Sequence, residues 1–367
     1  MKKSILLLLI IISLFTHSNA QEVLPIDTST WDFQGRGYVI EEFKGKKAVY
    51  LIGAMSLKDI KFLNGTIEYD IFLKEERCYP GVYFRLADEK NGEQFFMRLH
   101  LSGLEDATQA APLVNNLTPW QLMFGERYSF PYTFNYSGWT HVKIVVNGKQ
   151  AQVYLDYATT PHLSWDLTMP VQAGDVILRG GRVTGLHIAD IKIDPNATEI
   201  KNFNPIKREP IEGLVPEWEI SDMFEEKQLE DPSKLQTVID ERKWGRSVLV
   251  EEGTAANISK VQDLYNGEPG ETVFAKITIQ SDRDQLKLFE FGYSDRVVTI
   301  LNGKPIYKGT NFWRSRDYRY LGTIGLFDAV YLDLKKGKNT LLLAVSESFG
   351  GWLVTGRIKD MEGIKIK

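Results

Sequence analysis

From residue 65 to residue 157 the chain alternates. In GTIEYDIFL, GVYFRLAD, EQFFMRLHL, HVKIVVNGK and AQVYLDY an apolar side chain falls on nearly every second position, with turn residues between the runs. Period two is the geometry of a strand with one face on a core, so these segments predict an antiparallel sheet. The habit returns in ETVFAKITIQSD, QLKLFEFGYSD, RVVTILNGKPIY, AVYLDLKKGKNTLLLAVSES and GWLVTGRIK. Asn147-Gly148 and Asn302-Gly303 predict tight hairpins, because both residue types tolerate positive φ. Only ISDMFEEKQLEDPSKLQ looks helical, and no repeat of 20 to 50 residues argues for a propeller or solenoid.

Between the halves, residues 194–218 carry Pro195, Pro205, Pro210 and Pro216, which cannot donate to a ladder and stiffen the backbone. The fold class expected is therefore all-β, with two antiparallel β-sandwich (jelly-roll) domains. The expected division is 21–195 and 244–367, joined over 196–243 by a proline-containing linker with a short helix.

Residues 1–20 read as a signal peptide rather than as fold. Lys2 and Lys3 precede the apolar run ILLLLIIISLF, and Ala20 supplies the small residue for cleavage. The run is short for a membrane span, and no cysteine stands there to carry a lipid, so an exported protein, periplasmic or secreted, is expected. The formal charge of −4 becomes −6 without Lys2 and Lys3, which gives nucleic acid no general attraction. The single cysteine, Cys78, reads as a core residue.

Alternation turns these strands into faces. In EYDIFL the core set is Ile67, Tyr69, Ile71 and Leu73, leaving Glu68, Asp70 and Phe72 outside; in GVYFRL, Tyr83 and Arg85 face out; in EQFFMRLHL, Phe96, Arg98 and His100 do. If the strands share one sheet, its non-core face gathers acids, arginines, a histidine and rings. Rings stack on sugar C–H patches while carboxylates and guanidinium forks bind hydroxyl pairs, so this is the composition of a saccharide site. A solvated face laced with ion pairs explains the same residues. The long aromatic segment that follows, with Trp120, is expected to wall the groove.

The runs NGTIEYDI, GVYFRLADEKNGEQFFMRLH and SGWTHVKIVVNGKQAQVYLD resemble the concanavalin A-like lectin/glucanase superfamily, in its laminin-G-like and 3-keto-disaccharide hydrolase-like branches, over about residues 22–195. That resemblance implies a sandwich that serves lectins, glycan-binding modules and glycosidases alike. Laminarinase-type members carry Glu-x-Asp-x-(x)-Glu on one strand. Here Glu68 and Asp70 match its first two acids, but Phe72 and Leu73 stand where the proton donor belongs. Glu68, Asp70 and His100 remain the catalytic candidates should the chain be a glycoside hydrolase or lyase. Carbohydrate binding without chemistry is the leading expectation.

Around 245–360 the segments Ser294-Asp295-Arg296, VVTILNGKPIY and LDLKKGKNTLLLAVSESFGGWLVTGRI resemble the galactose-binding-like jelly roll that accompanies many sugar-processing enzymes. Its long insertion GTNFWRSRDYRY places Trp313, Arg314, Arg316 and Tyr318 where sandwich loops cluster. These residues suit a sugar bearing carboxylate or sulfate, or else they pack the insertion against the first half. The expected ligand set is thus Tyr83, Arg85, Phe96, Arg98, His100, Trp120, Trp313, Arg314, Arg316 and Tyr318, with a poly- or oligosaccharide as partner. No cofactor is expected beyond a structural calcium, with Asp194 and the acids of Ser281-Asp282-Arg283-Asp284 as its candidate ligands. The histidines lack short zinc spacing.

Overall fold

A computed structural model describes residues 23–267, 269–312 and 315–367. Trp313, Arg314 and the leader over residues 1–20 lie outside them.

The first half forms one 11-stranded antiparallel sheet folded over on itself. Its strands are β1 (Trp31–Phe43), β2 (Lys46–Leu57), β3 (Gly65–Phe72), β4 (Gly81–Asp88), β5 (Asn91–Met97), β6 (Thr108–Leu113), β7 (Trp139–Asn147), β8 (Gln150–Leu155), β9 (Leu163–Asp166), β10 (Asp175–Arg179) and β11 (Leu186–Asp194). They run in the order β6-β5-β4-β10-β2-β11-β3-β7-β8-β9, with β1 on β2. Strand β2 belongs to both layers, pairing β10 through Ala54–Ser56 and β11 through Ala48–Leu51. Ile67, Tyr69 and Ile71 of β3 pack in one core with Val82 and Phe84 of β4 and Phe95 and Met97 of β5. Cys78 is buried there too.

The second half builds its own 11-stranded sheet from β12 (Glu217–Ile220), β13 (Arg246–Glu251), β14 (Ala255–Asn257), β15 (Thr272–Ser281), β16 (Gln285–Ser294), β17 (Arg296–Leu301), β18 (Lys304–Thr310), β19 (Asp328–Leu334), β20 (Gly337–Ser346), β21 (Leu353–Arg357) and β22 (Ile364–Ile366). Trp218, Phe289, Phe291 and Trp352 centre its core. Both halves are thus antiparallel β-sandwiches, and the all-β class stands.

Local details differ from the sequence reading. Asn302 and Gly303 form the β17–β18 turn with φ of 50° and 78°, as expected for a type I′ hairpin. In the other hairpin Asn147 still pairs Gln150, so the turn is Gly148-Lys149, one residue later than expected. The segment expected to be helical breaks into 3₁₀ turns at Glu226–Leu229 and Pro232–Lys234 before a six-residue helix, α1 (Leu235–Asp240). Pro232 lacks the N–H that a continuous helix needs.

The halves share apolar packing. Ala255, Ile324 and Leu353 join the first core, and Leu117 joins the second. Hydrogen bonds cross as well, from Gly351 N–H to Gln121 Oε1 at 2.9 Å, from Leu321 N–H to Asp106 Oδ2 at 2.9 Å and from Asn115 Nδ2 to Ser259 O at 2.8 Å.

Candidate functional site

The strands β10, β4, β5 and β6 lie side by side, and their outward positions line up in two cross-strand rows. Ile177, Tyr83, Gln94 and Ala111 form one; Arg179, Gly81, Phe96 and Gln109 form the next. Gly81 is required where it stands, because a Cβ there would meet Phe95 O at 2.2 Å. Across from it the Arg179 guanidinium sits 4.5 Å from the Tyr83 ring and 5.6 Å from Phe96. Arg179 donates to the Tyr83 hydroxyl at 2.9 Å and to Gln94 Oε1 at 3.4 Å, and Gln94 Nε2 donates to the Thr118 hydroxyl at 2.8 Å. Arg179 Nε is buried without a partner among the described residues.

Arg98 closes the inner end of this face. Its guanidinium lies 5.0 Å from the Phe96 ring, donates to Asp106 Oδ1 at 2.7 Å and to Asp106 O at 3.0 Å, and also bonds Gln109 Oε1. Gln109 in turn donates to Trp120 O at 3.0 Å and to Met123 O. Burial pushes the Asp106 carboxyl up and the Arg98 guanidinium down, each opposed by the other's charge. The result is a layer of planar groups, held by one another, whose partly exposed members are Tyr83 and Arg179.

The sequence reading placed Glu68, Asp70, Tyr83, Arg85, Phe96, Arg98 and His100 in one hollow. Sheet order corrects this: β10, β2 and β11 stand between β4 and β3, and since both strands turn their apolar sides to the same core, their polar sides face away from each other. Tyr83, Phe96 and Arg98 do meet. Glu68 and Asp70 belong to the opposite layer.

There Asp70 is buried, with Oδ1 2.6 Å from His141 Nδ1 and Oδ2 bonded to Lys46, which also reaches Asp190 at 2.6 Å. Burial alone would raise the Asp70 carboxyl; hydrogen bonds from His141 and Lys46 outweigh it and hold the group below its ordinary value. Glu68 lies 3.3 Å from Lys143 and 3.7 Å from His141 Nε2. Tyr157 stacks on His141 at 4.0 Å, and Phe43 stacks on His187 at 3.6 Å. This layer is an ion-pair lock that pins the β1–β2 turn.

Other candidates go elsewhere. A register shift beyond Phe84 turns Arg85, at φ 53°, away from Tyr83. It is buried, donating to Leu63 O, to Gly148 O at 2.7 Å and to Asn64 Oδ1 at 2.9 Å. His100 sits in a 3₁₀ turn, edge-on to Tyr79 at 5.3 Å, with neither ring nitrogen hydrogen-bonded among the described residues; burial, then Arg77 and Arg98, push its pKa down. Trp120 wedges into the second half, where a Cβ at Gly322 would meet its ring at 2.7 Å. Asp282 pairs with Arg283, Asp284 accepts from Lys336 N–H, and Asp194 accepts from Asn196 N–H.

No protein-family model matches the chain, and no curated protein matches it. Solved structures do resemble it. A Bacillus subtilis carbohydrate binding module, CBM66, is 15% identical over 45% of this chain and 95% of its own, at TM-score 0.35. A β-1,3-1,4-glucanase (lichenase) from a mouse hindgut metagenome is 11% identical over 47% and 95%, at TM-score 0.33. The VIP36 exoplasmic/lumenal domain is 12% identical over 48% and 89%, at TM-score 0.32. Likenesses this distant decide nothing about activity.

Sequence reasoning missed Arg179, Gln94 and Gln109. The alternation of Val176 and Leu178 with Ile177 and Arg179 in DVILR marks Arg179 as outward, but the neighbour it would find there depends on β10 pairing β4. On the other layer Lys46 and His141 were missed as the partners of Asp70, and Asp190 as the second acid on Lys46.

Proposed function

We propose that this is an exported carbohydrate-binding protein that recognises a poly- or oligosaccharide on the outer face of β10, β4 and β5. The observation that carries the reading is the pair of cross-strand rows in which Arg179 lies between Tyr83 and Phe96 and is hydrogen-bonded to Tyr83 and Gln94. A guanidinium held beside rings by a hydroxyl and an amide presents fixed donors next to an apolar surface, which is what adjacent hydroxyls and C–H faces of a pyranose require. Export rests on the leader-like residues 1–20.

A hydrolase would need two carboxyl groups flanking the bound sugar. Glu68 and Asp70 are held by Lys143, Lys46 and His141 on the other layer, so binding without cleavage is the better account.

The test is affinity electrophoresis and pull-down on a panel of polysaccharides, with reducing ends measured after incubation. Tyr83→Ala and Arg179→Ala should each weaken retention about tenfold, and no reducing ends should appear. Retention that survives both substitutions would sink this placement, and release of reducing ends would turn the protein into an enzyme.

A further inference from the structure

The insertion GTNFWRSRDYRY has one part that the first sandwich does not absorb. Asp317 turns back on Arg319, at 3.0 Å and 2.7 Å, and Tyr320 is buried 5.6 Å from Phe124, so this end of the loop packs onto the first half. Arg316 and Tyr318 instead line a groove of about 590 Å³ at the junction, together with Phe124, Arg208, Thr323 and Phe327. That volume lies in the range of roughly 300–1,000 Å³ usual for small-molecule sites.

The groove is chemically dressed. Arg208 lies over the Phe124 ring at 4.4 Å and, among the described residues, donates only to neutral oxygens, Phe124 O at 2.6 Å and the Thr254 hydroxyl at 3.2 Å. Among the described residues it has no carboxylate partner, and burial has stripped much of its water. Arg316 is oriented by Asn311 Oδ1, at 3.3 Å and 3.0 Å, above Phe327. Thr323 Oγ1 is buried with no hydrogen-bond partner among the described residues. The Tyr318 ring is 96% exposed. Of the two carboxylates that line the groove, Asp317 is taken up by Arg319 and Glu209 is exposed to solvent.

We propose that this groove is a second saccharide site, selective for an acidic sugar whose carboxylate or sulfate meets Arg208 while its ring stacks on Tyr318. The inference rests on the carbohydrate-binding reading above and extends it to a different surface. A partly desolvated guanidinium hydrogen-bonded only to neutral oxygens among the described residues gains from an anion, and its planar fork can donate to two oxygens of one carboxylate or sulfate. With a formal charge of −4 the chain is repelled overall by acidic polymers, so any preference for them must be local.

The experiment compares the full chain on gels containing polygalacturonate, a sulfated galactan and a neutral galactan. One or both acidic gels should retain it more strongly, and which one does identifies the anion. Arg208→Gln should cut acidic retention about tenfold, and added salt should weaken it. Tyr318→Ala, at a position too exposed to affect folding, should cut it about fivefold. Acidic retention no stronger than neutral, or unchanged in both variants, overturns the groove alone if Tyr83-dependent neutral retention persists. Retention on none of the gels overturns both readings.

Discussion

The two outer faces of the first sandwich have nearly the same ingredients and opposite wiring. On β3 and β7, Asp70, Glu68, His141, Tyr157 and Trp139 are joined by Lys46 and Asp190, and the charges cancel in contacts as close as 2.6 Å. Around Tyr83 and Phe96, Asp106 is matched to Arg98 at the inner end, and the second guanidinium, Arg179, is held by a ring, a hydroxyl and an amide. Opposite charges in contact make a lock; a cation held by neutral groups keeps the ability to bind something else. Composition cannot tell the two apart. What decides is whether neighbouring strands deliver a counter-charge.

The sharpest way to break this comparison is Asp70→Ala. It leaves Lys46 and His141 without their buried partner and should cost about 3–5 kcal/mol in urea unfolding, while any folded fraction still binds glycan. Loss of binding at unchanged stability would reverse the roles of the two faces.

Two buried carboxyls of this sandwich, one on each layer, should also respond oppositely to pH. Asp70 is held below its ordinary 3.8, so its stabilisation is present above that value and is lost as pH falls further. Glu93 of β5, buried and accepting from Thr168 and Met169 N–H at 2.8 Å, is pushed by burial up to about 7. A raised carboxyl stabilises fully below its unfolded 4.5 and loses that as pH rises to about 7, a decline on the order of 3 kcal/mol. Glu93→Gln should flatten this decline and leave the acid limb intact; Asp70→Asn should do the reverse. Unfolding midpoints across pH 3 to 8 would separate them.

Arg85→Ala removes donors to Leu63 O, Gly148 O and Asn64 and should cost about 1–3 kcal/mol without altering glycan retention. Impaired retention in a stable variant would return Arg85 to the ligand set. The smallest effect is expected for Tyr157→Ala, whose ring is 71% exposed: under about 0.5 kcal/mol in stability and none in retention. A clear loss of retention there would give the Asp70 face a ligand of its own.

The alternation in residues 65–157 determined the strands, and with them which side of each meets a core, because side-chain direction in a strand is a local property. It put Ile67, Val82 and Phe95 inside and Tyr83 and Phe96 outside, where they are found. Asn302-Gly303 likewise set its own turn through φ preferences. Which strands lie side by side is not local. Tertiary structure alone inserted β10, β2 and β11 between β4 and β3, brought Arg179 to Tyr83, sent Lys46 to Asp70 and turned Arg85 aside at a register shift. Partner choice in a sheet is settled by global packing of the core, and a guanidinium's role by whichever oxygens that packing brings to it.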